Sequence, residues 1–272
     1  MKQQFIFLDI DGTLIDYDMT LPDSAVAAIR QARANGHRVI ICSGRSKAEI
    51  YPYIWEIGLD GYIGGNGSYI EYQGQPIHEQ FISADDAKRA IDWLEQRKLG
   101  YYLEANSGLY ANAYFLDSAA TIYGENTPEN RQKVQAAFPH MIYNANLYRN
   151  DLNKISFRLN CMEDYEAAVR DFPQFAVGLW GGTGHRVEFA DFGQKGVHKA
   201  KAVDILLEYV GASLEDTIAF GDADVDATML QHCAIGVAMG NAKDSLKAIA
   251  DYVTTAVQAD GIYKAFQYYQ LI

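Results

Sequence analysis

Two carboxylates two positions apart, Asp9 and Asp11, follow the apolar run FIFL and precede Gly12-Thr13. Like charges this close repel, and burying either is costly unless it is paired. A second acidic run, GDADVD over residues 221–226, follows the apolar stretch TIAF. Cys42-Ser43-Gly44-Arg45 and Gly196-Val197-His198-Lys199 add a hydroxyl, flexible backbone and cations. Carboxylates kept in such company suit a divalent cation and a phosphoryl group held between them. Simpler readings stand beside this one. Asp-Gly is a common turn signal, Ser43-Gly44 fits an ordinary strand-to-helix turn, and Lys199 alone fits a surface helix. GDADVD alternates acids as a calcium loop does. That loop needs Gly at its sixth place and Glu at its twelfth, where this chain has Ala227 and Cys233.

The elements that must position these groups are legible in the hydrophobic pattern. FIFLDI, HRVIICS and TIAFGD read as buried strands, separated by amphipathic helices such as LPDSAVAAIRQARANG and KAKAVDILLEYVG. Gly36 and Gly211 end those helices. Ser46 caps a helix expected through SKAEIYPYIWEIG, which Pro52 shortens or kinks. Ser213 with Asp216 reads as a capping box. Strand–helix–strand order with near-continuous apolar strands predicts an α/β fold, a Rossmann-like parallel sheet covered on both faces. In such sheets ligands bind outside the carboxyl ends of the strands, so the four polar stretches should converge on one crevice.

The middle of the chain has another character. SADDAKRAIDWLEQRK is an amphipathic helix, and GYYLEANSGLYANAY a hairpin around Asn106-Ser107-Gly108. PENRQKVQAAF and EDYEAAVRDF are helices flanking the strand KISFRLN. QFAVGLWGGTGHRVEFA is a second hairpin, turning at Gly181-Gly182-Thr183-Gly184. These features predict an inserted α+β domain over residues 83–187 within a core formed by residues 1–82 and 188–272. Its connections near Ile82-Ser83 and Phe189-Ala190 are expected to act as hinges of a lid. Its tyrosines, Tyr101, Tyr102 and Tyr110 among them, suit stacking on a sugar or packing within a sheet.

DIDGT, the Ser43-Gly44-Arg45 triplet, the lysine of GVHKAKAV, GDADVD with Met229-Leu230, and IGVAMGNAKDSLKAIADYVT occur in that order along nearly the whole chain. DGIYKAF follows near the C-terminus. Together they resemble the haloacid dehalogenase-like (HAD) hydrolase superfamily, in particular the Cof-type sugar-phosphate phosphatases with an α/β cap (class IIB). The resemblance implies that Asp9 is a nucleophile forming an aspartyl-phosphate and that Asp11 is the general acid and base. It implies Mg²⁺ held by the Asp9 carboxylate, the Asp11 backbone carbonyl and Asp222, with Asp226 steadying the metal's waters. Ser43 and the Gly44 amide would bind phosphate. Family spacing selects Lys199 over Lys195 and Lys201 as the charge-neutralising lysine. Arg45 and Asn66 are candidates to face the substrate, though an Arg at a helix start and an Asn in a Gly-rich turn also suit structural roles. Where the family commonly carries Asn, this chain has Val225, which cannot donate to phosphate. The implied activity is Mg²⁺-dependent hydrolysis of small phosphorylated metabolites. A phosphomutase on the same scaffold and a non-catalytic phosphosugar-binding protein are the alternatives.

The whole-chain numbers narrow the partners. With 272 residues, 49% of them hydrophobic, the chain can bury a substantial core, in one large domain or two smaller ones. A formal charge of −12 argues against a nucleic-acid partner. Cys42, Cys161 and Cys233 lie far apart and read as thiols of a reducing compartment. The six histidines show no zincin spacing. No stretch has the length of a membrane span, and the N-terminal apolar run is too short for a signal peptide. A soluble cytoplasmic protein with no obligate protein partner is expected.

Overall fold

The computed structural model describes residues 2–181 and 188–272. They fall into two compact units, Met1–Gly44 with Ile50–Glu79 and Val197–Ile272, and Arg45–Glu49 with Gln80–Gly196.

The first unit is built on an eight-stranded sheet. Its strand order is Tyr252–Val253, Ile235–Ala238, Thr217–Gly221, Phe5–Leu8, Arg38–Cys42, Gly61–Gly64, Tyr69–Tyr72, Gln75–Glu79. The pairings are parallel from Tyr252–Val253 through Gly61–Gly64, and antiparallel for the last two strands. Alternate residues of one strand serve opposite faces. Ile6 and Leu8 pack with Ile29 and Phe266, while Phe5 and Phe7 pack with Val203 and Leu206. Both faces are therefore apolar, which is why these strands read as unbroken hydrophobic runs. The helices Asp23–Ala34 and Gly261–Tyr268 cover the first face, and Lys199–Val210 and Ala227–His232 the second. Phe5–Leu8 lies between Thr217–Gly221 and Arg38–Cys42, so the strand order reverses beside it. That switch point is where an open parallel sheet leaves a crevice.

The second unit carries a six-stranded sheet in the order Phe175–Trp180, Phe189–Gln194, Lys154–Arg158, Tyr101–Ala105, Gly108–Ala111, Met141–Ile142. It is antiparallel except for the last pair. The helices Ala84–Gln96 and Met162–Asp171 close one face over Leu103, Ile155, Phe157 and Phe192. Phe115–Ala120 and Pro128–Ala137 pack on the other, against Tyr102 and Leu109.

Several elements differ from expectation. The helix anticipated after Ser46 is broken into a 3-10 turn, Lys47–Glu49, and one α-turn, Pro52–Trp55. Pro52 has no N–H to continue a helix and instead begins one. Ser213 caps only the 3-10 turn Leu214–Asp216, accepting from Glu215 N at 3.3 Å. The Asp216 carboxylate pairs with Lys2 at 2.5 Å and does not complete a box. Phe115–Ala120 was not anticipated, being too short to show a period. Phe189 and Ala190, expected at a hinge, lie inside a strand paired on both sides, which fixes their backbone. Of the expected turn at Gly181 to Gly184, residues 182–184 lie outside the described residues, as does Val187, the expected end of the insertion. Among the described residues no helix is long and apolar enough to cross a membrane.

Candidate active site

Asp9 and Asp222 each stand one residue past a buried strand, and the two strands are neighbours. Asp9 N donates to Phe220 O at 3.1 Å, extending the ladder one residue past Phe5–Leu8. Asp9, Asp222 and Asp226 are 6%, 4% and 0% exposed. One ligand oxygen from each lies within 4.8 Å of the others.

Lys199 is the cation that meets this cluster. It is the first residue of Lys199–Val210, placed there by the N-cap His198, whose Nδ1 accepts from Lys201 N at 3.2 Å. Its Nζ donates to Asp9 Oδ1 at 2.6 Å and to Asp226 Oδ1 at 2.5 Å. Lys195 and Lys201 are exposed. Burial alone would lower the Lys199 pKa, but Asp226 and Asp9 outweigh it and hold the ammonium above its usual value. The Asp9 carboxyl is driven well above the carboxylate range, by burial first and by Asp226 next, with Lys199 pulling it back. Asp226 is locked on both oxygens, because its Oδ2 accepts from the amides of Asp222 (3.1 Å) and Ala223 (3.0 Å). Those bonds fix the GDADVD turn as well as the side chain.

Asp222 accepts from Thr13 Oγ1 on one oxygen (3.3 Å) and from the Tyr17 hydroxyl on the other (2.7 Å). Burial lifts its pKa to about 6, and the Tyr17 bond pulls in the opposite direction. Three buried carboxyls share one ammonium, so with all three ionised two negative charges go uncompensated. Hard oxygen donors carrying that excess fit a divalent cation such as Mg²⁺.

Asp11 is half-buried and its carboxylate stands outside the three-member cluster. It sits on a tight turn in which the amides of Thr13, Leu14 and Ile15 all donate to Ile10 O. Ser43, at the end of Arg38–Cys42, is 1% exposed. Asn66 N donates to Ser43 O at 3.0 Å, which ties the Gly65–Gly67 turn to the end of that strand. Asn66 itself is left-handed (φ 58°), and its Oδ1 is buried with no hydrogen-bond partner among the described residues. A Cβ on Gly44 would come within 3.1 Å of that oxygen, so the glycine makes room for it. Arg45 belongs to the second unit, where its Nη1 donates to Glu49 O at 3.0 Å. Val225 is 47% exposed, on the turn Asp224–Asp226.

Two contributors escaped the sequence reading. Asn241 Nδ2 donates to Gly12 O at 2.7 Å, and its Oδ1 accepts from Val257 N at 3.2 Å, stapling the Asp9–Asp11 turn from across the unit. An Asn soon after a buried strand was the available signal. Tyr17 offered none.

The haloacid dehalogenase-like hydrolase family matches this sequence over residues 6–266. The chain belongs to that family. It is 28% identical over 262 residues to YkrA of Bacillus subtilis (strain 168), with 96% of each chain covered. It is 27% identical to the pyridoxal phosphate phosphatase YbhA of Escherichia coli (strain K12), over the full length of both. Its fold is similar to that of the HAD subclass IIB sugar phosphatase BT4131, with a TM-score of 0.80 and 28% identity over 99% of this chain and 100% of that one. This HAD protein has a parallel-sheet core and an inserted α+β cap, and it is a phosphoric monoester hydrolase.

Proposed function

We propose that this chain hydrolyses sugar phosphates and similar small phosphomonoesters with Mg²⁺, through an aspartyl-phosphate on Asp9. The observation that carries the reading is the buried set Asp9, Asp222 and Asp226 around Lys199 at the ends of adjacent strands. Asp9, the Asp11 carbonyl and Asp222 would hold Mg²⁺, which when bound offsets carboxylate and phosphoryl charge. An Asp9 oxygen attacks phosphorus while the bond to the leaving oxygen breaks, and the Asp11 carboxyl passes its proton to that oxygen. The Asp11 carboxylate then takes a proton from water. The hydroxide attacks phosphorus and the Asp9–phosphorus bond breaks, releasing inorganic phosphate. Lys199 holds Asp9 in place and draws charge from the phosphoryl oxygens. Ser43, the Gly44 amide and Asn66 are the phosphate donors in this reading.

The test is phosphate release from a panel of sugar phosphates and pyridoxal phosphate in Mg²⁺ and in chelator. Turnover should need the metal and should vanish in Asp9→Asn, because an amide is neither a nucleophile nor a good cation ligand. Substantial turnover by Asp9→Asn would remove the nucleophile assignment, and turnover in chelator would remove the metal. Transfer back to the sugar without free phosphate would instead make the chain a mutase.

A further inference from the structure

Tyr17 lies outside every motif of the family resemblance. Tyr17 is 64% exposed, yet its hydroxyl reaches Asp222, which is 4% exposed, at 2.7 Å. The loop beneath it is closed on itself. Asp16 N donates to Thr20 O and Met19 N to Asp16 O, each at 2.9 Å, and Tyr17 N donates to Asp16 Oδ1 at 2.7 Å. Two outside groups hold the same loop, Gln258 Nε2 donating to Asp16 Oδ2 and the Tyr53 hydroxyl to Met19 O. The backbone that aims the phenol is therefore anchored. A residue this exposed gains little from packing, so the hydroxyl contact is what the placement secures.

The three carboxylates are held in different ways. Asp9 and Asp226 accept from the Lys199 ammonium, and Asp226 also from two amides. The hydrogen bonds on Asp222 come from two hydroxyls, of which the Tyr17 bond is the shorter. A hydroxyl orients a carboxylate without neutralising it, so Asp222 keeps its full charge for a cation.

We propose that Tyr17 is a positioning residue for Asp222, fixing the plane of this carboxylate so that it meets a divalent cation without turning. The proposal rests on the metal assignment made above. A carboxylate turns easily about its last bond, and a short hydrogen bond to one oxygen removes that freedom while leaving lone pairs for the metal. Partners of this kind typically contribute 10–100-fold to metal affinity.

Calorimetric titration of chelator-stripped, full-length protein with Mg²⁺ tests this, comparing the unaltered chain with Tyr17→Phe and Tyr17→Ala. Both substitutions should raise the Mg²⁺ Kd on the order of tenfold and to a similar extent, since the hydroxyl is the working part. Turnover should return at saturating Mg²⁺. An unchanged or tighter Kd in Tyr17→Phe overturns the proposal. So does a loss confined to Tyr17→Ala, which would assign the effect to the ring. If even the unaltered chain takes up no Mg²⁺, the metal assignment fails and this proposal falls with it. Uptake by the unaltered chain and by Tyr17→Phe with equal Kd overturns the proposal alone.

Discussion

Gly12 sits at φ +78°, and a Cβ there would fall 2.2 Å from Asp222 Oδ2. The glycine after Asp11 is thus required twice, by its left-handed backbone and by the carboxylate pressed against it. Gly12→Ala should cost roughly 1–3 kcal/mol of backbone strain and also push Asp222 off its two hydroxyl partners. Thermal melts should show the first effect and a weakened Mg²⁺ Kd the second; a variant that melts normally and binds Mg²⁺ normally would show that the close approach is dispensable. At this scale much was legible. Asp9, Asp11 and Asp222 stand out because charges follow directly on an apolar run, a placement that is costly without a purpose, whereas Asp226 is singled out by the family resemblance. Tyr17 and Asn241 had no such contrast with their surroundings.

Single elements explain the second unit's buried charge. Glu104 on Tyr101–Ala105 stands directly opposite Lys154 on Lys154–Arg158. Lys154 Nζ lies 3.2 Å from Glu104 Oε2 and 3.6 Å from Asp191 Oδ2, and Ser156 Oγ donates to Glu104 Oε1 at 2.5 Å. Burial, then Glu49, pushes the Glu104 carboxyl up, and Lys154 draws it back. Lys154→Met keeps the apolar stem but strands a carboxylate that is 0% exposed. It should cost about 3–5 kcal/mol in denaturant unfolding, and pairing it with Glu104→Leu should recover much of the loss. A loss below about 1 kcal/mol would mean that Glu104 is simply protonated in the fold. The alternation of Tyr, Leu and Glu in YYLEA announced a strand with two unlike faces, but which lysine would stand opposite depended on register.

For the molecule as a whole, we propose that the inserted unit selects the substrate and closes as a lid. The core motifs would otherwise leave the leaving group unrecognised and open to water, and binding energy from the sugar would serve closure. Replacing residues 80–196 by a short bridge should therefore lower kcat/KM on sugar phosphates far more than on an activated aryl phosphate, whose leaving group needs little acid help. The comparison applies once circular dichroism and a cooperative melt show the shortened core to be folded. An equal loss on both substrates would take substrate choice away from the insertion. The return connection is better cut after Gly196, where φ is +76°, than at Phe189-Ala190, which two neighbouring strands hold.

By itself the sequence determined the strands, most helices, their stops at Gly36 and Gly211, and the carboxylates at the strand ends. All of these rest on periodicity and on contrasts between adjacent residues, which are local. The tertiary structure alone decided the sheet order and the grouping of Arg45 with the second unit. Family spacing already selected Lys199 over Lys195 and Lys201, and the tertiary structure supplies the contacts with Asp9 and Asp226. The bonds concerned join residues 190 apart for Lys199 and Asp9, 205 for Tyr17 and Asp222, and 229 for Asn241 and Gly12. Contacts across such separations form only when the sheet assembles and sets its strand ends side by side, so no local pattern encodes them.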